Sequence, residues 1–142
     1  SFCTLLPSLL AYHTYNYNKL IVTPDFFDGS STQVVMAIIH VVLFHFDLVK
    51  YAQEFEPDEV QKYLADLANA IPGVLEMHFN EKNISPFEGY VDFSKNYTHL
   101  LVSKHVDGAA LKMYSEDPAH LQIVERFKKC FVEPPLRMDM NI

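Results

Sequence analysis

The stretch from Ala37 to Phe46 constrains the fold more than any other part of this 142-residue chain. It is built of β-branched, aliphatic and aromatic residues and is too short for a typical helix, so it reads as a buried strand. Side chains alternate across a strand, which puts His40, Val42, Phe44 and Phe46 on one face and Ile39, Val41, Leu43 and His45 on the other. Both faces are largely apolar. A strand of this kind needs a packed layer on each side.

The remainder of the chain after Met36 supplies such layers in a definite order. Pro57-Asp58-Glu59 opens a helix with acid in its first turn, where the helix dipole favours it. Val60, Tyr63, Leu64, Leu67 and Ile71 follow at helical spacing, and Pro72-Gly73 stops the run. Val74 to Phe79 predicts a second strand, Asn80 to Lys95 a polar loop, and Tyr97 to His105 a third strand. Asp107 caps a short helix ending near Tyr114. Pro118 to Phe131 predicts another, with Leu121, Val124 and Phe127 turned inward, and Leu136 to Met140 alternates as a last strand. The order is strand, helix, strand, strand, helix pair, strand. Helices on one face of such a sheet leave the other bare, which small domains often cover by dimerising. A homodimer is therefore the expected assembly.

Residues 1–35 read differently. Phe2 to Tyr12 is apolar but broken by Pro7 and too short to span a bilayer, and it lacks the basic start of a signal peptide. The segment reads as an extension docked on the domain, a remnant of a longer chain, or sequence upstream of a start at Met36. Cys3 and Cys130 lie near opposite ends and form neither a metal knuckle nor a CxxC redox site. Reduced thiols in a cytoplasmic protein are the default, with a single bridge left open. The formal net charge of −7, with no basic run, argues against a nucleic-acid partner, and no segment points to a membrane. Asn83-Ile84-Ser85 and Asn96-Tyr97-Thr98 match the glycosylation pattern and read as chance matches.

The strongest functional signal is the corner Tyr114-Ser115-Glu116-Asp117-Pro118-Ala119-His120. Asp at an N-cap accepts bonds from free backbone N–H groups, and Pro at the first helical position has no N–H to lose. His120 then sits in the first turn, where the dipole disfavours a positive charge. A neutral histidine six residues after a tyrosine is a candidate acid/base pair. The alternative is a helix start whose histidine is packed or solvated. No HExxH, CxxC or Asp-rich loop marks a metal site. Glycine loops for phosphate, GxSxG elbows and dinucleotide fingerprints are absent, so no metal or cofactor is expected. On the first strand, His40 reads either as a hydrogen-bonded core histidine, partnered by Tyr97 or another polar group, or as a pocket wall. His99 reads as structural. His45, His78 and His105 lack carboxylates at ligand spacing.

From Met36 onward the chain resembles the dimeric α/β-barrel family, also called Dabb or stress-responsive A/B barrel proteins. The residues that carry the resemblance are His40 with Val41-Val42-Leu43-Phe44-His45-Phe46, then Ile71-Pro72-Gly73-Val74, Tyr97-Thr98-His99, and Tyr114…Asp117-Pro118-Ala119-His120. They occur in the family's order and near its spacing. The resemblance implies an α+β fold, a ferredoxin-like βαββαβ subunit with an antiparallel sheet, forming a dimeric α/β barrel over residues 36–142. One enzyme member, a polyketide cyclase, uses a tyrosine and a histidine at the positions of Tyr114 and His120 in an intramolecular aldol condensation. Its pocket positions correspond to His40, Val42, Phe44 and Leu101. Where that enzyme has an aromatic-rich first helix, this chain has Val60, Gln61 and Leu64, so the pocket is expected to be reshaped.

The resemblance thus implies catalytic roles for His120 and Tyr114, and a substrate wall of His40, Val42, Phe44, Val60, Leu64 and Leu101. An aldol-type enzyme needs a base for the proton beside a carbonyl and a donor for the enolate oxygen. Two functions stand side by side. One is a dimeric barrel that binds an apolar or aromatic small molecule or serves as a stress protein. The other is a cofactor-independent cyclase or lyase acting on a polyketide-like carbonyl compound. A monooxygenase-like barrel is a third reading, from fold analogy alone.

Overall fold

A computed structural model of the chain describes residues 36–142. The expectations for residues 1–35, Cys3 among them, fall outside the described residues. The apolar run forms strand β1, Ile38–Phe44, and Phe46 adds an isolated bridge to Phe131. Its buried residues are His40, Val42 and Phe44, while Ile39, Val41 and Leu43 are half-buried, as the alternation requires. Asp47 then caps a short helix, α1 (Leu48–Glu54), its carboxylate accepting from the N–H groups of Val49 and Lys50. The sequence pattern did not predict α1. None of its residues is fully buried, so it leaves no strong apolar stripe.

Helix α2 (Glu59–Ala70) buries Val60, Leu64 and Leu67, the predicted face. Its first turn is closed by Glu59, whose carboxylate accepts from the Glu56 N–H at 2.9 Å. Asp58 sits in the left-handed region at φ 62° and makes no side-chain cap bond. Gly73, at φ +84°, turns the chain into β2 (Val74–Asn80). A Cβ there would come within 2.6 Å of the Ala110 Cβ, so both dihedral and space demand glycine.

After the loop, β3 (His99–His105) alternates as strictly as β1, with His99, Leu101, Ser103 and His105 buried. Helix α3 (Gly108–Glu116) is capped by Asp107, whose carboxylate accepts from Ala110 at 2.8 Å. Helix α4 (Pro118–Lys128) follows directly, and β4 (Leu136–Asn141) ends the domain. The inward residues of α4 are Ile123 and Phe127, both buried, with Ala119 packed against the core. Leu121, expected inside, is 48% exposed, because the i, i+4, i+8 stripe of Ala119, Ile123 and Phe127 meets the core and turns Leu121 away.

All strand pairs are antiparallel, in the order β2-β3-β1-β4. This is the ferredoxin-like α+β arrangement, with α1 as an added helix. The buried faces of β1 and β3 carry the core together with α2 and α4. Arg126 of α4 ties three elements at the edge of that core. Its guanidinium donates to Glu54 at 2.9 Å and Glu59 at 2.5 Å, and lies 4.3 Å from the Phe55 ring. On the opposite face of the sheet Leu136, Met138 and Met140 of β4 are exposed, beside the half-buried Leu43, Val41 and Ile39 that they pair with. Among the described residues, no helix is long and apolar enough to cross a membrane.

Candidate functional site

The helices and the sheet enclose a cavity of about 600 Å³. Its apolar wall comes from Val42 and Phe44 of β1, Leu101 of β3, Leu64 of α2 and Phe127 of α4. Its polar lining includes His40, Asp139 and the Tyr114–His120 corner, with Lys112, Lys128 and Arg137 also bordering it. The predicted wall residues His40, Val42, Phe44, Leu64 and Leu101 all reach it. Val60 does not. It is fully buried in the first turn of α2, in the same core cluster as Phe55, and has no surface left for a ligand.

The corner is fixed by its cap. The Asp117 carboxylate accepts from Ala119 N–H at 2.8 Å and from His120 N–H at 3.4 Å, and Pro118 occupies the first helical position. This brings the His120 ring to 4.3 Å from the Tyr114 ring, centroid to centroid. Tyr114 is 2% exposed and stands among three histidines, with His105 at 5.1 Å and His40 at 6.5 Å. Burial pushes its phenol well above its ordinary pKa, so it stays a protonated donor.

His120 is held below the usual histidine range, chiefly by burial; the Ser115 carbonyl opposes this, His40 adds to it and Asp117 works against it. Its Nδ1 lies 3.2 Å from the Ser115 backbone oxygen. Neutral His120 can therefore donate from Nδ1 and keep a lone pair on Nε2.

His40 is partnered by Asp139, not Tyr97. Its Nδ1 is 2.5 Å from Asp139 Oδ1, across the β1–β4 register in which the two residues are opposed. Tyr97 instead lies beside His45, at 6.1 Å. Sequence reasoning missed Asp139. The available signal was the alternation in the last strand, where Arg137 and Asp139 share one face while Leu136, Met138 and Met140 share the other.

The other histidines separate cleanly. His99 is 4% exposed, donates or accepts at the Thr98 hydroxyl at 2.8 Å, and is pushed down to about 4 by burial. His105 is fully buried against Ser103 Oγ at 2.9 Å, with its Nδ1 unpartnered among the described residues. Burial first, then His40, lowers its pKa, against an opposing effect of Asp139. The fold gives His45 a carboxylate that local sequence did not show, Glu133 at 2.8 Å. His78, expected to lack a close carboxylate, meets Glu76 at 3.6 Å, two residues away on the same strand face. Among the described residues no three His, Cys, Asp or Glu side chains come together as a metal site.

A four-stranded antiparallel sheet with helices on one face and a histidine-lined cavity between them defines a ferredoxin-like α+β protein. The chain belongs to the stress-responsive A/B barrel (Dabb) family, whose sequence profile matches residues 38–141. Among solved structures it is similar to an Arabidopsis thaliana protein, 26% identical with a TM-score of 0.54, over 72% of this chain and 92% of that one. It is similar in fold to a dimeric ferredoxin-like protein of unknown function from Thermobifida fusca. There the identity is 19%, the TM-score 0.55, and the coverage 76% and 92%. A hydroxynitrile lyase from Passiflora edulis shares the fold at 18% identity and a TM-score of 0.54, over 75% of this chain and 93% of that one. No curated protein matches the chain.

Proposed function

We propose that this chain is a homodimeric barrel protein that takes an apolar or aromatic small molecule into the cavity beneath α3 and α4. The observation that carries the reading is the cavity itself: about 600 Å³, walled by Val42, Phe44, Leu64, Leu101 and Phe127, with polar groups gathered on a few positions. Ligand sites are built in this way, apolar for affinity and sparsely polar for orientation. The dimer is supported by the exposed Leu136, Met138 and Met140 on the sheet face that none of the described helices covers, and by the dimeric Thermobifida neighbour. A part in stress response rests on the family's description alone.

The test is titration of 4-phenylbutan-2-one, an aromatic ketone of suitable shape, followed by NMR or calorimetry. Saturable binding that is lost in Val124→Trp, which fills the cavity from α4, supports the reading. Absence of saturable binding to the folded protein overturns it.

One observation favours a second reading, cofactor-independent catalysis at a carbonyl compound. Tyr114 and His120 share the cavity, and the Ser115 carbonyl selects the His120 tautomer with a free Nε2. In this mechanism Nε2 removes the proton beside a substrate carbonyl. The Tyr114 hydroxyl donates to the oxygen as enolate charge develops. The enolate carbon then attacks a second carbonyl in the same molecule, and the proton on Nε2 is returned to the new alkoxide. The Passiflora neighbour is an enzyme by name, and at its low identity it lends this chain the fold alone. Deuterium exchange at the α-carbons of 4-phenylbutan-2-one reads the first step directly. Acceleration by the wild type supports it, and a rate equal to buffer overturns it.

A further inference from the structure

The cavity carries charges that neither acid/base chemistry nor apolar binding uses. Arg137 lines it from β4, opposite Val42 on the helix-facing side of the sheet, and Lys112 of α3 and Lys128 of α4 line it from above. Lys112 faces Glu116 at 3.9 Å, and Lys128 faces Glu125 at 2.5 Å. Neither glutamate is part of the lining. Arg137 makes no ion pair among the described residues. The one carboxylate on the lining among the described residues, Asp139, is held by His40 Nδ1. Among the described residues the lining thus holds two lysines paired with glutamates outside it, one engaged acid and Arg137, in a chain whose 18 acidic residues outnumber 11 lysines and arginines.

An ordinary surface arginine on an edge strand is simply solvated. Arg137 is itself exposed, yet it borders the apolar cavity, and an anion drawn onto it from that side is partly shielded from water, which strengthens its attraction to the guanidinium. Its planar fork matches the paired oxygens of a carboxylate or phosphoryl group. A two-residue step of extended strand takes Arg137 to Asp139, about 7 Å along the cavity floor. An anion on Arg137 would thus leave the rest of its molecule free to reach the His40, Tyr114 and His120 end.

We infer that the ligand of this cavity carries an anionic oxygen group, carboxylate or phosphoryl, seated on Arg137, with its apolar body along Val42, Phe44 and Phe127. The inference rests on the proposed reading of the cavity as a ligand site, and names the chemical class of what enters it. Lys112 and Lys128 add to the field at the entrance and make no fixed contact of their own.

The experiment compares three probes with one aromatic body: 4-phenylbutan-1-ol, 4-phenylbutanoate and 4-phenylbutyl phosphate, titrated calorimetrically at low ionic strength. The wild type is expected to bind at least one anion about tenfold more tightly than the alcohol, the strength of a charge-assisted hydrogen bond. Whichever anion binds more tightly identifies the head group. Arg137→Gln, checked for folding by its thermal melt, removes the preference and leaves the alcohol's affinity unchanged. Equal affinities in the wild type, or a preference that survives Arg137→Gln, overturn the inference and leave the cavity reading standing. If no probe binds, both fall. If an anion alone binds and Arg137→Gln abolishes it, the inference stands and the apolar wall is not what holds the ligand.

Discussion

The Nδ1 of His120 lies 3.2 Å from the backbone oxygen of Ser115, its neighbour across the α3–α4 corner. A carbonyl oxygen can only accept, so neutral His120 carries its proton on Nδ1 and its lone pair on Nε2. The base in the proposed chemistry is thus set by a backbone atom.

Replacing His120 by Ala is expected to lower α-proton exchange of 4-phenylbutan-2-one by about 10²–10⁴-fold, the usual worth of a general base. The thermal melt should stay near wild type, since His120 is only half-buried. Burial holds the His120 pKa below the ordinary 6.5. The active neutral form therefore predominates at pH 7, and the rate falls as pH drops through a value below 6.5. A profile whose midpoint lies above 6.5 would remove His120 as the base.

Acid should cost the fold stability through His99. Its pKa is about 4 in the folded protein, against about 6.5 unfolded. Below 6.5 the unfolded chain takes up a proton that the folded one refuses. The contribution is therefore complete above 6.5 and is lost as pH falls towards 4. At about 1.4 kcal/mol per pKa unit this amounts to roughly 3 kcal/mol. Urea unfolding at pH 7 and pH 4.5 should show a smaller loss in His99→Gln than in wild type. His105 and His120 shift in the same direction, so part of the loss remains.

Asp117 holds the corner by two N–H bonds, and Asp117→Ala is expected to destabilise the domain by about 1 kcal/mol. Asp117→Asn keeps a capping oxygen and should recover most of that in the same melts. If Asp117→Ala lowers exchange activity while Asp117→Asn restores it, the cap also positions His120.

Gly73 carries a positive φ and abuts Ala110. Gly73→Ala adds left-handed strain to a 2.6 Å clash, an expected loss of about 2–4 kcal/mol. Pairing it with Ala110→Gly relieves the clash but not the dihedral, so denaturant midpoints should recover in part. Full recovery would mean that the backbone there tolerates a side chain without cost.

Met138 is 76% exposed on the sheet face opposite the described helices. In the proposed dimer that face is buried against its copy, so Met138→Glu should yield a folded monomer by sedimentation velocity. A variant that still sediments as a dimer places the interface elsewhere.

Much of the site was legible because its signals are local. The two-residue period of β1 placed His40, Val42 and Phe44 on one buried face, and Asp117-Pro118 announced the helix start that carries His120. Other features were ambiguous at short range. Helix α4 offers two apolar stripes, Leu121-Val124-Phe127 and Ala119-Ile123-Phe127, and only packing on the core chose the second. Val60 shares the stripe of Leu64, yet lies one turn too deep in the core to meet the cavity.

The sequence alone determined which side chains share a face, where helices begin and where glycine must turn the chain, because those depend on neighbours a few residues away. It also carried the family membership, in motifs spread along residues 38–141. The tertiary structure decided which faces meet. It set Asp139 on His40 across 99 residues, put Arg137 beside the cavity, and left the apolar side of β4 pointing away from the helices. Strand order and register govern these contacts, and they are fixed by the packing of the whole sheet, which no local pattern records.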